Sequence, residues 1–151
     1  MNYKQLFDAI LDTLEFCNMT CSDRIVKMIA ETACVETNCG QYIKQINGPA
    51  CGIFQIEPRT ARDIIDHFIF YKPKLRDNFA KLYNDYLTLE QNICTNLMFS
   101  IFMCRCFYLR IKETIPNTVE GRAKYWKKYY NTALGKGTVE KYIKAVDKYA
   151  K

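Results

Sequence analysis

Hydrophobic side chains recur every three or four residues along most of the chain. Leu6, Ile10 and Leu14, with Phe7 and Leu11 beside them, place one apolar stripe along residues 3–16, which predicts an amphipathic helix. Similar spacing, bounded by cap residues and prolines, predicts six further helices, at about 23–38, 58–71, 75–87, 89–113, 120–131 and 138–150. The fold class is therefore predicted to be mainly α.

One segment, residues 40–57, breaks this pattern. It holds three glycines and a proline, which predicts an irregular loop or a small β excursion. We expect Gly40 to take the left-handed position that ends the preceding helix near Asn38. Pro58 suits the first turn of the next helix.

The chain is long enough for one domain but offers no membrane span. Its 151 residues predict a single domain over 1–151. The longest apolar run, residues 93–109, is interrupted by Arg105 and is shorter than the roughly 20 residues of a spanning helix. We therefore expect a buried core helix there.

Positive charge is concentrated in the C-terminal third. The chain carries a net charge of +6, while residues 105–151 contain 12 Lys/Arg and 4 Asp/Glu, a net charge of +8. Two interpretations stay open: an anionic partner such as nucleic acid, a lipid surface or a cell-wall polymer, or a lysine-rich solvated face. Nucleic-acid binding is not predicted, because no recognisable motif accompanies the charge.

The eight cysteines point to buried thiols rather than to a metal site. There is no Cys-x-x-Cys pair and His67 is the one histidine, so no zinc site is predicted. The N-terminal residues carry charges within their apolar pattern and lack a signal-peptide core. We therefore expect most thiols to be small buried apolar groups; the alternative is that some of them are oxidised once the chain leaves the cytosol by another route.

Two glutamates five positions apart face different ways on the predicted helix 23–38. Glu36 falls within the apolar stripe, whereas Glu31 falls beside Arg24 and Lys27, so we expect Glu31 to be solvated and charge-paired. Burial and the negative helix end would both raise the pKa of Glu36, as a general acid requires. The alternative is that Glu36 reaches water from a frayed helix end.

The sequence that follows Glu36 carries a resemblance. Residues 36–61, "ETNCGQYIKQINGPACGIFQIEPRTA", resemble the catalytic segment of lysozyme-like lytic transglycosylases and goose-type lysozymes, most of all phage-encoded members. There, a helix-ending glutamate precedes a Gly-Ile-Phe-Gln-Ile type of element, here residues 52–56. Asn92-Ile93 and Tyr130-Asn131 are similar to two later motifs of the family. The usual Glu-Ser pair is Glu36-Thr37 here, and Tyr-Asn-Ala-Gly is Tyr-Asn-Thr-Ala.

The resemblance implies a lysozyme-like fold and a site for cleaving peptidoglycan. Glu36 would be the general acid/base at the β-1,4 bond between N-acetylmuramic acid and N-acetylglucosamine, in a muramidase or transglycosylase reaction that needs no cofactor or metal. The substrate-binding residues implied are Gly52, Phe54, Gln55, Tyr130 and Asn131.

Several of these assignments have structural alternatives. Gln55 could satisfy the loop backbone, Gly52 could be only a turn glycine, and Tyr130 could be a core aromatic. Tyr42, Phe54 and Trp126 could form a sugar-stacking platform, or Trp126 could be packing.

Glu57 is a candidate second carboxylate. At roughly 6.5–9.5 Å from Glu36 it would permit hydrolysis with inversion. Alternatively, its place just before Pro58 predicts that it caps the next helix. Sequence leaves both roles open.

The resemblance also implies the binding partners of the protein and the place where it acts. Peptidoglycan is the predicted partner, phage virion or tail proteins are candidate partners, and no membrane span is expected. Without a signal peptide, the chain would be made in the cytoplasm and act at the cell wall or periplasm after release or as a virion component. The alternative function is a non-catalytic virion or cell-wall-binding protein that retains the fold.

Overall fold

The computed structural model describes residues 1–45 and 47–151, and within them the protein is an all-α single domain without β-strands. Its eight α-helices are α1 (Tyr3–Phe16), α2 (Asp23–Thr37), α3 (Pro58–His67), α4 (Pro73–Leu82), α5 (Leu89–Thr95), α6 (Leu97–Leu109), α7 (Val119–Trp126) and α8 (Val139–Tyr149). A 3₁₀ turn (Ile69–Tyr71) and a π-helical turn (Lys127–Asn131) complete them. The prediction of a mainly α fold is confirmed.

Helix α6 forms the centre of the core. Every residue from Phe99 to Tyr108 is buried, and the helix contacts α1, α2, α3, α4 and α5. A helix that is apolar on all sides needs such enclosure. The expected buried core helix is therefore confirmed over this part of the apolar run.

Helix α2 is enclosed almost as completely. It contacts α1, α6 and α8, and α8 in turn packs against α7. The two C-terminal helices thus cover the side of α2 that its polar residues had predicted to be solvated.

The predicted helix 89–113 is divided at Asn96. The side chain of Asn96 accepts a hydrogen bond from the Phe99 amide at 3.2 Å and donates one to the Leu82 carbonyl at 2.7 Å. It therefore caps α6 as a new helix, bent by 101° from α5. Among the described residues no single helix has the length and apolar character of a membrane span, although α5 and α6 taken together reach both.

The loop between α2 and α3 contains isolated bridges rather than a strand. Lys44 forms a bridge with Cys51, and Cys51 forms one with Ile56. In the described residues the predicted β excursion consists of these two bridges. Ile46 lies outside the described residues. The left-handed ending begins earlier than predicted, since Asn38, Cys39 and Gly40 have φ of 52°, 61° and 76° in succession.

Candidate active site

Glu36 lies in the last turn of α2, half-buried, with its carboxylate directed at a side chain from α7. Its Oε1 accepts a hydrogen bond from Trp126 Nε1 at 3.0 Å. Burial raises the pKa of Glu36 to about 7, although the bond from Trp126 acts to lower it. The predicted partial burial of Glu36 is confirmed, and the direction of its pKa shift agrees with the prediction. Helix α2 continues through Thr37, so Glu36 does not lie at a frayed end.

Trp126 is closely packed around this hydrogen bond. Its side chain is only 2% exposed, and its ring centroid lies 5.5 Å from that of Tyr142 on α8. A Cβ on Gly137 would lie 2.4 Å from Trp126 Cη2, so the loop after the π-helical turn packs directly against the indole. Trp126 is therefore a packed residue whose indole N–H serves Glu36.

The predicted sugar-stacking platform is not assembled. Trp126 is buried, and Phe54 has no exposed surface, so neither ring is available to a sugar in this structure. Tyr42 is 44% exposed, and its hydroxyl donates to the backbone carbonyl of Glu36 at 2.8 Å. Of the three aromatic rings, only that of Tyr42 is open to solvent beside the acid.

Thr37 joins the end of α2 to residues 52–56. Its buried hydroxyl donates to the Ile53 carbonyl at 2.7 Å and accepts from the Gly40 amide at 3.0 Å. The threonine thus supplies a hydroxyl at the position where the resembling family has serine. This link positions the 52–56 element next to the residue that follows Glu36.

Gly52 is required by its backbone conformation and by space. Its φ is +77°, and a Cβ would lie 2.6 Å from the carbonyl oxygen of Ile93 on α5. The close approach of the Gly52 backbone is therefore to α5. Gln55 Nε2 donates to the Gly52 carbonyl at 2.9 Å, so its side chain here satisfies the loop backbone, as one of its two interpretations predicted.

Tyr130 and Asn131 lie behind this element. The Tyr130 hydroxyl donates to the Phe54 carbonyl at 2.5 Å, and its ring stacks on Tyr108 with centroids 5.3 Å apart. The Tyr130 hydroxyl therefore contacts the loop backbone and not Glu36. Asn131 Oδ1 accepts from Lys127 Nζ at 2.7 Å, which stabilises the turn.

Glu57 is exposed and occupies the N-cap position of α3 with extended backbone. Its carboxylate makes no hydrogen bond to the first turn of that helix within the described residues. The cap position is confirmed, without the capping bond. Its role as a second carboxylate stays a prediction.

Glu31 is not solvated, and this prediction is wrong. It is 3% exposed and receives a bidentate pair from Arg122, Nε to Oε2 at 2.7 Å and Nη2 to Oε1 at 2.8 Å. The Tyr142 hydroxyl also donates to Oε2 at 2.7 Å. The helical wheel placed Glu31 correctly opposite the apolar stripe, but α7 and α8 cover that face. Lys27, one expected partner, pairs with Asp23 instead.

The comparisons with known proteins identify no relative. No protein-family model, no curated protein and no solved structure matches the chain. The lysozyme-like fold and the peptidoglycan-cleaving activity are therefore proposals that rest on the motifs and on the surroundings of Glu36.

The described residues contain no group of three or more His, Cys, Asp or Glu side chains arranged to hold a metal ion. All eight cysteines are free thiols, six of them buried, which agrees with the expectation of small apolar groups. The residue that sequence reasoning undervalued is Trp126. The available signal was that a buried indole needs an acceptor for its N–H.

Proposed function

We propose that this protein cleaves the glycan strands of peptidoglycan at the β-1,4 bond between N-acetylmuramic acid and N-acetylglucosamine, with Glu36 as general acid/base. The observation that carries the proposal is a half-buried carboxyl group with a pKa of about 7 at the end of α2. At neutral pH such a group is present in both protonation states, so it can give a proton and take one back.

The hydrogen bond from Trp126 indicates which oxygen of Glu36 transfers the proton. Because Oε1 accepts the indole N–H, Oε2 is the oxygen that carries the acidic proton in the neutral form. Oε2 would donate to the glycosidic oxygen, and the resulting carboxylate would keep its bond to Trp126. That bond is stronger to the ionised group, so it stabilises Glu36 after proton transfer.

Two outcomes of the cleavage are open to such a site. In the transglycosylase route, Glu36 acts next as base and the C6 hydroxyl of the muramyl residue closes a 1,6-anhydro ring. In the muramidase route, water attacks, and the exposed Glu57 is the candidate carboxylate that activates it.

The proposed setting is cell-wall penetration or lysis by a phage. The net charge of +8 in residues 105–151 supports association with an anionic envelope. A non-catalytic wall-binding protein would retain this association without cleaving the strand, so binding and cleavage must be measured separately.

The test digests purified peptidoglycan and identifies the products by mass spectrometry for wild type and Glu36→Gln. Anhydro-muropeptides indicate a transglycosylase and reducing ends a muramidase, and Glu36→Gln is expected to reduce either product at least 100-fold. Full activity in Glu36→Gln would exclude Glu36 as the acid. Binding of the wild type without any product would favour the non-catalytic alternative.

The matched control is Glu15→Gln, an exposed carboxylate on α1. Glu31→Gln is unsuitable, because it would leave Arg122 as a buried charge without its carboxylate and would destabilise the fold. If Glu36→Gln loses activity while Glu15→Gln retains it, the loss is due to the missing proton donor at Glu36. It is then not a general effect of removing a carboxylate from the fold.

A further inference from the structure

Arg105 is a buried cation without an anionic partner in the described part of the chain. It lies in α6, is 6% exposed, and its Nε is buried without a hydrogen bond. No carboxylate among residues 1–45 and 47–151 forms a salt bridge with it. Burial accordingly lowers the pKa of Arg105 from its ordinary value.

This arrangement is costly unless a ligand completes it. The guanidinium remains protonated in proteins and presents five N–H donors, and leaving such a buried ion unpaired is strongly unfavourable. The other buried arginine follows the usual rule, since Arg122 makes its bidentate pair with Glu31. Arg105 is therefore the arginine whose surroundings lack a counter-charge from the described chain.

Two pockets meet at Arg105. One, of about 390 Å³, lies between the turn after α1, α4 and α6, and its lining includes Lys74, Lys81 and the buried Asn78. The other, of about 170 Å³, is lined in part by Arg24 and Lys112. Both pockets open to solvent, and Arg105 lines each of them.

The charges around the two pockets are mostly positive. Besides Arg105, four cations line them, Lys74 and Lys81 in the larger and Arg24 and Lys112 in the smaller. Their acidic lining residues are Asp77 and Glu113, and the carboxylate of Glu113 is already bonded to the Tyr129 hydroxyl. The net field therefore favours an anion at this place.

We propose that Arg105, with Lys74 and Lys81, forms a binding site for a phosphate group. The planar fork of an arginine binds two oxygens of an oxyanion, and lysines add point charges from other directions. A phosphate has enough oxygens to meet all three cations, whereas a carboxylate has two. The phosphate can belong to a soluble anion or to a lipid headgroup, and the site is independent of the chemistry at Glu36.

The test titrates inorganic phosphate at constant ionic strength and measures the Tm, with chloride as the comparison anion. The wild type is expected to gain about 5–10 °C at about 100 times the Kd of phosphate. Lys74→Ala/Lys81→Ala, two exposed substitutions, is expected to weaken phosphate binding at least 10-fold. Arg105→Met is expected to abolish it and to raise the Tm measured without phosphate.

Arg76→Ala is the control, since Arg76 is exposed on α4 and lines neither pocket. If Arg105→Met does not fold, the double lysine variant decides. Equal shifts with phosphate and chloride, or a phosphate shift unchanged in the lysine variant, would overturn the proposal.

Vesicles distinguish the source of the phosphate. Cosedimentation with phosphatidylglycerol vesicles that is lost in Lys74→Ala/Lys81→Ala indicates a lipid headgroup. A phosphate-specific Tm shift without cosedimentation indicates a soluble or polymer-borne phosphate. If neither a phosphate-specific Tm shift nor cosedimentation is observed, the proposed phosphate site is excluded.

Discussion

Replacing Trp126 by phenylalanine tests how the structure sets the acidity of Glu36. The substitution keeps an aromatic ring in the pocket next to Tyr142 but removes the indole N–H that donates to Glu36 Oε1 at 3.0 Å. That bond favours the ionised carboxylate, while burial favours the neutral acid. Without the donor, burial acts alone.

The size of the effect follows from the strength of a hydrogen bond to a charged group. Such a bond contributes about 1.5–3 kcal/mol, and a change of one pH unit in a pKa corresponds to about 1.4 kcal/mol. Part of this contribution persists in the neutral acid, so we expect Trp126→Phe to raise the pKa of Glu36 from about 7 by about one pH unit.

The measurement is a ¹³C NMR titration of the glutamate carboxyl carbons, in which Glu36→Gln assigns the signal. It requires no substrate, so it is independent of the proposed activity. Tyr42→Phe is the matched control, because the Tyr42 hydroxyl bonds the backbone carbonyl of Glu36 and not its carboxylate. We expect that variant to leave the Glu36 titration unchanged.

Two results would refute the reasoning. If the pKa of Glu36 in the wild type lies near the ordinary value of 4.5, burial does not raise it. If the pKa of Glu36 is lower in Trp126→Phe than in the wild type, water that enters the vacated space stabilises the carboxylate more than the indole N–H did. If the activity is confirmed, the basic limb of its pH profile should move with the NMR value.

Three further predictions concern stability, measured by urea unfolding. Glu31→Gln should cost about 3–5 kcal/mol, because it leaves Arg122 buried without its counter-charge; a cost below 1 kcal/mol would contradict this. Gly52→Ala should cost about 2–4 kcal/mol, from its φ of +77° and the clash with α5, and wild-type stability would exclude the close approach. Glu36→Gln should be more stable than wild type by up to about 3 kcal/mol above pH 7.

The sign of the last prediction follows from proton linkage. The folded state holds a proton on Glu36 to about pH 7, whereas the unfolded chain releases it near 4.5. Stability is therefore lost as the pH rises through this window, and a glutamine, which does not ionise, avoids the loss. At pH 4 the two proteins should unfold at the same urea concentration within error, and a difference that persists there would point to packing instead.

Hydrophobic spacing predicted most helices because their burial pattern is local. The first two helices and the start of α3 at Pro58 lie where periodicity and proline placed them. The division at Asn96 was missed because an apolar run continues across it. The asparagine side chain that caps α6 through the Phe99 amide is also held by a second bond to Leu82, 14 residues away. Periodicity reports which residues are apolar and not where the chain turns.

At the candidate site too, features that depend on one helix were predictable from the sequence, and contacts between distant residues were not. The burial of Glu36 was predictable from its place in the apolar stripe, which is a property of α2 alone. Its bond to Trp126 spans 90 residues, and the burial of Glu31 depends on Arg122, 91 residues away. Neither partner could be inferred from spacing within the helix. The sequence therefore indicated a candidate acid but not the side chains that surround it.

The two glutamates of α2 are connected through α7. Arg122 and Trp126 lie four residues apart, hence on one face of that helix, and they bind Glu31 and Glu36, which lie five apart on α2. The buried ion pair therefore fixes the helix that carries the indole, so that the indole meets the acid. Glu31 therefore holds Trp126 in place indirectly, through Arg122. A Glu31→Gln variant that still folds should show an altered pKa of Glu36 as well as a lower free energy of unfolding.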